Sequence, residues 1–176
     1  MEQRRQIRAD YDDRTVVVYQ AYSDEIAEPA LAAGTFVPPF KPGRMTWVKP
    51  SFLWMAYRCG WARKPGQERV LAVRVLREAF DEAVRSAVPS REVVRGKPEI
   101  RVQWDPERGL RHEALEQRSL QLGLGGDASR RYVEEWITGL VDVTGVMRRV
   151  GAAVAAGELE LARELLPVER VYPLEV

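Results

Sequence analysis

Between Pro29 and Gln67 the chain has no acidic residue, although Asp and Glu number 26 in 176. Inside that gap residues 41–64 read KPGRMTWVKPSFLWMAYRCGWARK. Lys41, Arg44, Lys49, Arg58, Arg63 and Lys64 are interleaved there with Trp47, Phe52, Trp54, Tyr57 and Trp61. Any fold must remove most of those rings from water while leaving the cations solvated or facing an anion. With 27 basic residues against 26 acidic ones, the segregation is local, and the chain is not a basic protein. A one-signed cleft raises the local concentration of an oppositely charged ligand. Rings beside guanidinium and ammonium groups suit planar, phosphate-bearing ligands through stacking and bidentate contacts. The segment therefore points to an anionic, ring-containing ligand, a nucleotide or a nucleic acid. The alternative is that the tryptophans are core and the charges a solvated rim.

The length argues for a single domain, residues 1–176, with a C-terminal helical segment at about 144–166. A hydrophobic content of 45% and a charged content of 30% are ordinary for a globular protein. No apolar run approaches the roughly 20 residues of a membrane span, so no membrane partner is expected. The start, MEQRRQIRADYDDR, has no apolar signal stretch. The single cysteine, Cys59, excludes an internal disulfide and fits a reducing cytoplasm, the expected location. One His and one Cys leave no zinc site of His/Cys type. Cys59 reads as a small helix residue; its sole possible imidazole partner, His112, lies in a polar stretch.

Residues 15–22, TVVVYQAY, read as a buried strand, followed by Ser23 as N-cap and a helix to Ala33 stopped by Gly34. VPPFKPG makes an irregular loop, residues 44–49 a short strand, and a helix runs from near Pro50 to Cys59, ended by Gly60. Strands follow at 69–76, 99–105 and 118–124, with a short helix at 77–87 and a polar loop after Asp105. A helix is predicted over 128–140, and the tail reads as helical to Pro167. Strands and helices mix without a strict βαβ rhythm. The fold class is therefore α+β, with a central mixed or antiparallel sheet flanked by helices.

Phosphate-cradling glycine loops, nucleophile elbows and His-anchored triads are missing, as are helix-turn-helix and RNA-recognition signatures. A constellation remains. Gln20 is a polar residue central to an apolar strand, and Gln121 is placed likewise; a buried amide must find partners, in a ligand or in the backbone. Trp54 and Arg58 share a helix face, with Tyr57 beside them bordering a pocket, while Leu53 and Trp61 face the core. Lys49 and Ser51 stand at the helix start, where free amides favour an anion. Glu107 and Asp105 are the carboxylates nominated for chemistry, though DPERG is also a good turn sequence. Arg4, Arg5 and Arg8 precede Tyr11, and one of them is a candidate to close over the cleft.

At RQIRADYDDRTVVVYQAY, RMTWVKPSFLWMAYRCGW, QWDPER and RSLQLGL the chain resembles the DUF4291 family over about residues 3–173. The block from Trp47 to Met55 is the most specific part of that likeness. VVVYQAYSDEIAEPALAAGTF is similar in pattern to the opening of ADP-ribosyltransferase-type folds. That second resemblance implies Tyr19 or Gln20 at the nicotinamide-riboside position, with Gly34 and Phe36 at the end of the unit. It also implies a late-strand Glu that stabilises a ribose cation; here RSLQLGL offers Arg118 and Gln121, and Glu116 is the nearest carboxylate.

The leading expectation is a nucleotide-handling enzyme of ADP-ribosyltransferase-like architecture using NAD or a related dinucleotide. Arg44, Lys49 and Arg58 would meet the pyrophosphate, Trp47, Trp54 or Tyr57 a ring, and Gln20 a ribose. Glu116 or Glu107 would stabilise the developing cation. The rival expectations are a non-catalytic module gripping single-stranded RNA or DNA with the same segment, and a structural domain whose tryptophans are core.

Overall fold

The computed structural model describes residues 4–175. Its α+β architecture is built around the strand the sequence marks most clearly, β2 (Thr15–Tyr22). Alternation sends Val16 and Val18 to one side and Val17 and Tyr19 to the other, and each set enters a different apolar cluster. The strand is therefore buried on both faces, which explains its continuous apolar run.

β2 pairs antiparallel with β4 (Arg69–Leu76), which pairs in turn with β8 (Ile137–Asp142). A second sheet has the order β3 (Thr46–Val48), β7 (Ala114–Leu124), β6 (Ile100–Arg108), β5 (Val88–Pro89). The expected single central sheet is thus two sheets. They meet where Tyr19 N–H donates to the Lys49 carbonyl at 2.7 Å and Lys49 N–H returns to Tyr19 at 3.4 Å. A two-stranded clasp joins β1 (Arg8–Ala9) to β9 (Arg170–Val171), bringing the two ends of the chain together.

Helix α1 (Asp24–Ala33) ends at Gly34 in the left-handed region, φ 78°. Ser23 holds the N-cap position in extended backbone but makes no side-chain capping bond. Arg69 ties α1 to the sheet, reaching Asp24 at 3.0 Å, Asp142 at 2.6 Å and also Glu28. Helix α2 (Phe52–Cys59) is capped by Ser51, whose Oγ accepts from Trp54 N–H at 3.0 Å, and is closed by Gly60. Its buried side carries Phe52, Met55, Ala56 and Cys59 into the second cluster, against Met147 and Val150. α3 (Arg77–Ser86) inserts Phe80 and Ala83 into the first cluster.

Two expectations are corrected. The polar loop after Asp105 is strand instead: β6 continues to Arg108 and β7 begins at Ala114, leaving a short hairpin. Cross-strand pairing holds those polar residues in strand. The helix predicted over 128–140 is α4 (Gly126–Arg131) followed by a π-helical turn, Tyr132–Trp136, after which the chain becomes β8. The apolar 3.6 spacing is real up to Trp136, but pairing with β4 takes Ile137 and Leu140 as strand residues. The tail is helical as expected, in two pieces, α5 (Thr144–Ala155) and α6 (Leu159–Leu165), separated at Gly157 with φ 75°. No helix among the described residues is long and apolar enough to cross a membrane.

Candidate functional site

The second sheet has one apolar and one polar face. Leu120, Leu122, Leu124, Val102 and Trp104 face the first core cluster. On the other face, register aligns Trp47 with Gly123 and Arg101, Gln121 with Gln103, and Ser119 with Asp105. Lys49, two residues beyond Trp47, points to that same side. α2 rises along its edge, with Trp54 beside Lys49.

Asp105 is the centre of this face. Gln103 Nε2 donates to its Oδ1 at 3.0 Å and Gln121 Nε2 donates to its Oδ2 at 2.9 Å. Both carboxylate oxygens are thereby oriented. Lys49 is 6% exposed, and its ammonium lies 5.4 Å from the Trp54 ring centroid. Its one hydrogen bond goes from Nζ to the Trp47 carbonyl at 3.3 Å, and it forms no ion pair among the described residues. Burial, with the nearby Arg58 charge, lowers its pKa from 10.5 to about 8, opposed by Asp105. A buried cation with one weak bond is an uncommon arrangement. The Trp47 ring lies over Gly123, where a Cβ would come within 2.9 Å of it, so the glycine provides the seat for the indole.

A second polar group adjoins the start of α2. Ser51 Oγ donates to Glu107 Oε1 at 2.8 Å, and Arg108 N–H donates to the same oxygen at 2.9 Å. The Phe52 amide donates to Glu169 at 3.2 Å. The helix start, expected from sequence to take a phosphate at Lys49 and Ser51, is thus occupied by the protein's own carboxyl. Glu169 is partly covered as a residue, but its carboxyl is turned inward; burial first, then the neighbouring Glu107, pushes its pKa up to about 8. Burial likewise raises Glu107. Arg8, on β1, is exposed and donates to the Glu169 carbonyl at 3.2 Å; its charge favours ionisation of both glutamates.

The other sequence candidates lie elsewhere. Gln20 is buried in a closed knot: Nε2 donates to Tyr22 Oη at 2.8 Å and Thr46 Oγ1 at 2.9 Å, while Tyr132 Oη donates to its Oε1 at 2.5 Å. Every hydrogen-bonding position of that amide except a second acceptor lone pair is satisfied internally. Tyr19 is core, edge-on to Phe52 at 5.5 Å. Arg44 opens onto a separate hollow of about 280 Å³ between Tyr22, Phe40 and Met45. Tyr57 is 39% exposed and covered by the Arg108 guanidinium at 3.9 Å. Arg58 is exposed at the end of α2, and Glu116 is exposed on the hairpin, offset from the polar face by the strand alternation. The structure therefore unites Trp47, Lys49, Trp54, Asp105 and Gln121, and adds Gln103. No cluster of three or more His, Cys, Asp or Glu suited to a metal occurs among the described residues.

The family described as a domain of unknown function, DUF4291, matches residues 6–172. The chain belongs to that family. All of the polar face, the α2 segment and the Glu107–Glu169 group fall within the matched DUF4291 region. Neither the curated proteins nor the solved structures contain a match to the chain.

Proposed function

We propose that the polar face of β3, β7 and β6 binds a nucleotide through Lys49. On this reading the protein is a nucleotide-handling enzyme, of ADP-ribosyltransferase-like architecture, acting on NAD or a related dinucleotide. Lys49 carries the proposal. An ammonium buried without a direct ion pair opposes folding, and such an arrangement is expected where a ligand supplies the missing anion.

The pyrophosphate would meet Lys49, with Arg58 as the nearest exposed cation. Trp47, seated on Gly123, offers a ring face at the other end. Gln103 and Gln121 each keep an acceptor oxygen and a second N–H for ribose hydroxyls, having used one N–H on Asp105. Asp105, oriented by both amides, is the carboxylate suited to stabilise positive charge developing on a ribose. That role passes to it from Glu116, which is exposed and off this face. The architectural part of the reading draws support from two sheets that meet at the Tyr19–Lys49 bridge.

The test is thermal denaturation against NAD, ADP-ribose, ATP, GTP and single-stranded RNA. A ligand bound only by the folded state adds about 2.7 kcal/mol at a hundred times its dissociation constant. Stabilisation by NAD or ADP-ribose is expected, and incubation with NAD should release nicotinamide. Stabilisation by RNA alone, falling steeply with salt through counterion release, would assign a non-catalytic nucleic-acid module instead.

A further inference from the structure

Beside the C-terminal end of α2 lies a cleft of about 440 Å³, formed by the chain after Gly60, the β6–β7 hairpin and the end of α5. Its floor is a stack. The His112 imidazole lies on the Trp61 indole with ring centroids 4.7 Å apart and 22° between planes. The indole in turn rests on α5 at Gly151, where a Cβ would come within 2.7 Å of it. Ala152 and Ala155 keep that wall short, Leu110 and Val154 make it apolar, and Arg63 and Arg111 stand at the rim.

Two features single out this cleft. Trp61, Ala62 and His112, at φ 57°, 64° and 61°, are the non-glycine residues with left-handed backbone among the described residues, and all three lie at this floor or next to it. Such strain persists only where the surroundings enforce it, and it clusters at binding sites. Moreover, His112 Nε2 is buried with no hydrogen-bond partner, so the ring is held by stacking at the expense of a polar contact. Arg63 and Arg111 form no ion pair among the described residues, nor do Lys64 and Arg108 nearby. The rim carries Arg63 and Arg111, with the Glu113 carboxylate accepting from the Arg111 amide at 2.9 Å, the interior is flat and apolar, and the size is that of a small-ligand site.

We infer that this cleft is a second site, separate from the Lys49 face, for the ring-and-phosphate unit of a nucleotide. The ring lies against the Trp61–His112 floor and the apolar wall, and the phosphate pairs with Arg63 and Arg111. The same unit can arrive as a free mononucleotide or as one base of a single strand. In the second case Lys64 and Arg108 would take the neighbouring phosphates. The inference is independent of what the Lys49 face binds.

Calorimetric titration with AMP and with a short single-stranded oligoadenylate tests it, using the wild type, Arg63→Ala, Arg111→Ala, Ala152→Leu and Lys49→Met. Each arginine variant should weaken AMP binding about tenfold, the loss of one charge-assisted contact. Ala152→Leu, at an exposed helix position, should fill the cleft without unfolding the protein and abolish binding there. Lys49→Met should leave it intact. Tighter binding of the oligonucleotide than of AMP identifies a strand as the source, and equal binding a free nucleotide. The inference is overturned if the wild type takes neither probe at the cleft, if the cleft variants bind as the wild type does, or if Lys49→Met alone removes all binding.

Discussion

The ammonium of Lys49 lies 5.4 Å from the centre of the Trp54 ring; that aromatic face, one carbonyl at 3.3 Å and the more distant Asp105 carboxylate stabilise it inside the folded chain. A cation held this way is an incomplete site. A structural lysine at the same depth would have a carboxylate beside it.

Replacing Lys49 by Met should therefore not harm the fold. Removing a buried charge that forms no direct ion pair leaves stability unchanged or raises it, whereas deleting half of an ion pair would destabilise. The pH dependence makes this sharper. The folded-state pKa is about 8 against an ordinary 10.5, so between those values the unfolded chain holds more protons and stability rises with pH. Denaturation midpoints measured from pH 8 to 10.5 should climb in the wild type and lose that component in Lys49→Met.

The glutamates at the start of α2 act in the opposite sense and in a lower window. Glu169 has a folded pKa of about 8 against 4.5, so the folded state holds more protons in between. The stability it contributes is complete below 4.5 and is lost as pH rises through 8. Because Glu107 adjoins it, the two titrate as a pair. Glu169→Gln keeps an acceptor for the Phe52 amide and should flatten the decline in melting temperature between pH 5 and 8. An unaltered slope would remove Glu169 as its source.

Gln20 is a structural residue in this account. Tyr132→Phe removes the donor to Gln20 Oε1 inside the buried knot and should cost about 1–3 kcal/mol in chemical denaturation. Nucleotide affinity should be unchanged. A loss of affinity with no loss of stability would return Gln20 to the ligand site.

Gly123 seats Trp47. In Gly123→Ala the new methyl would meet the Trp47 ring at 2.9 Å and Met45 Sδ at 2.8 Å, so the indole must shift. The fold should survive at a cost of ~1–3 kcal/mol, while nucleotide affinity falls. Equal affinity in the two proteins would show that Trp47 does not contact the ligand.

Much of this arrangement can be read from local sequence because local rules govern it. The continuous apolar run of β2, the Ser51 cap and the Gly60 stop of α2 depend on residues within a few positions of one another. Trp47, Lys49 and Trp54 could be nominated for the same reason, lying in one acid-free segment. Gln103 was legible in principle, since Gln103 and Asp105 alternate with Val102 and Trp104 along β6. The β6–β7 hairpin was not, because RHEALEQ has no apolar alternation and is strand only by pairing across the hairpin. β8 continues a helical apolar rhythm until pairing with β4 overrides it. Glu169 reaches the Phe52 amide across 117 residues of chain, and nothing near it in sequence marks that contact. The Trp61–His112 stack is likewise a tertiary event between a helix end and a hairpin.

Isothermal titration of NAD into the wild type and into Lys49→Met decides whether Lys49 holds a nucleotide. Measurable binding by the wild type is expected, with a loss of at least about tenfold in the variant, the effect of deleting one buried charge-assisted contact, and no drop in melting temperature. Equal affinity in the two proteins, or no binding of NAD by the wild type, would contradict that role of Lys49.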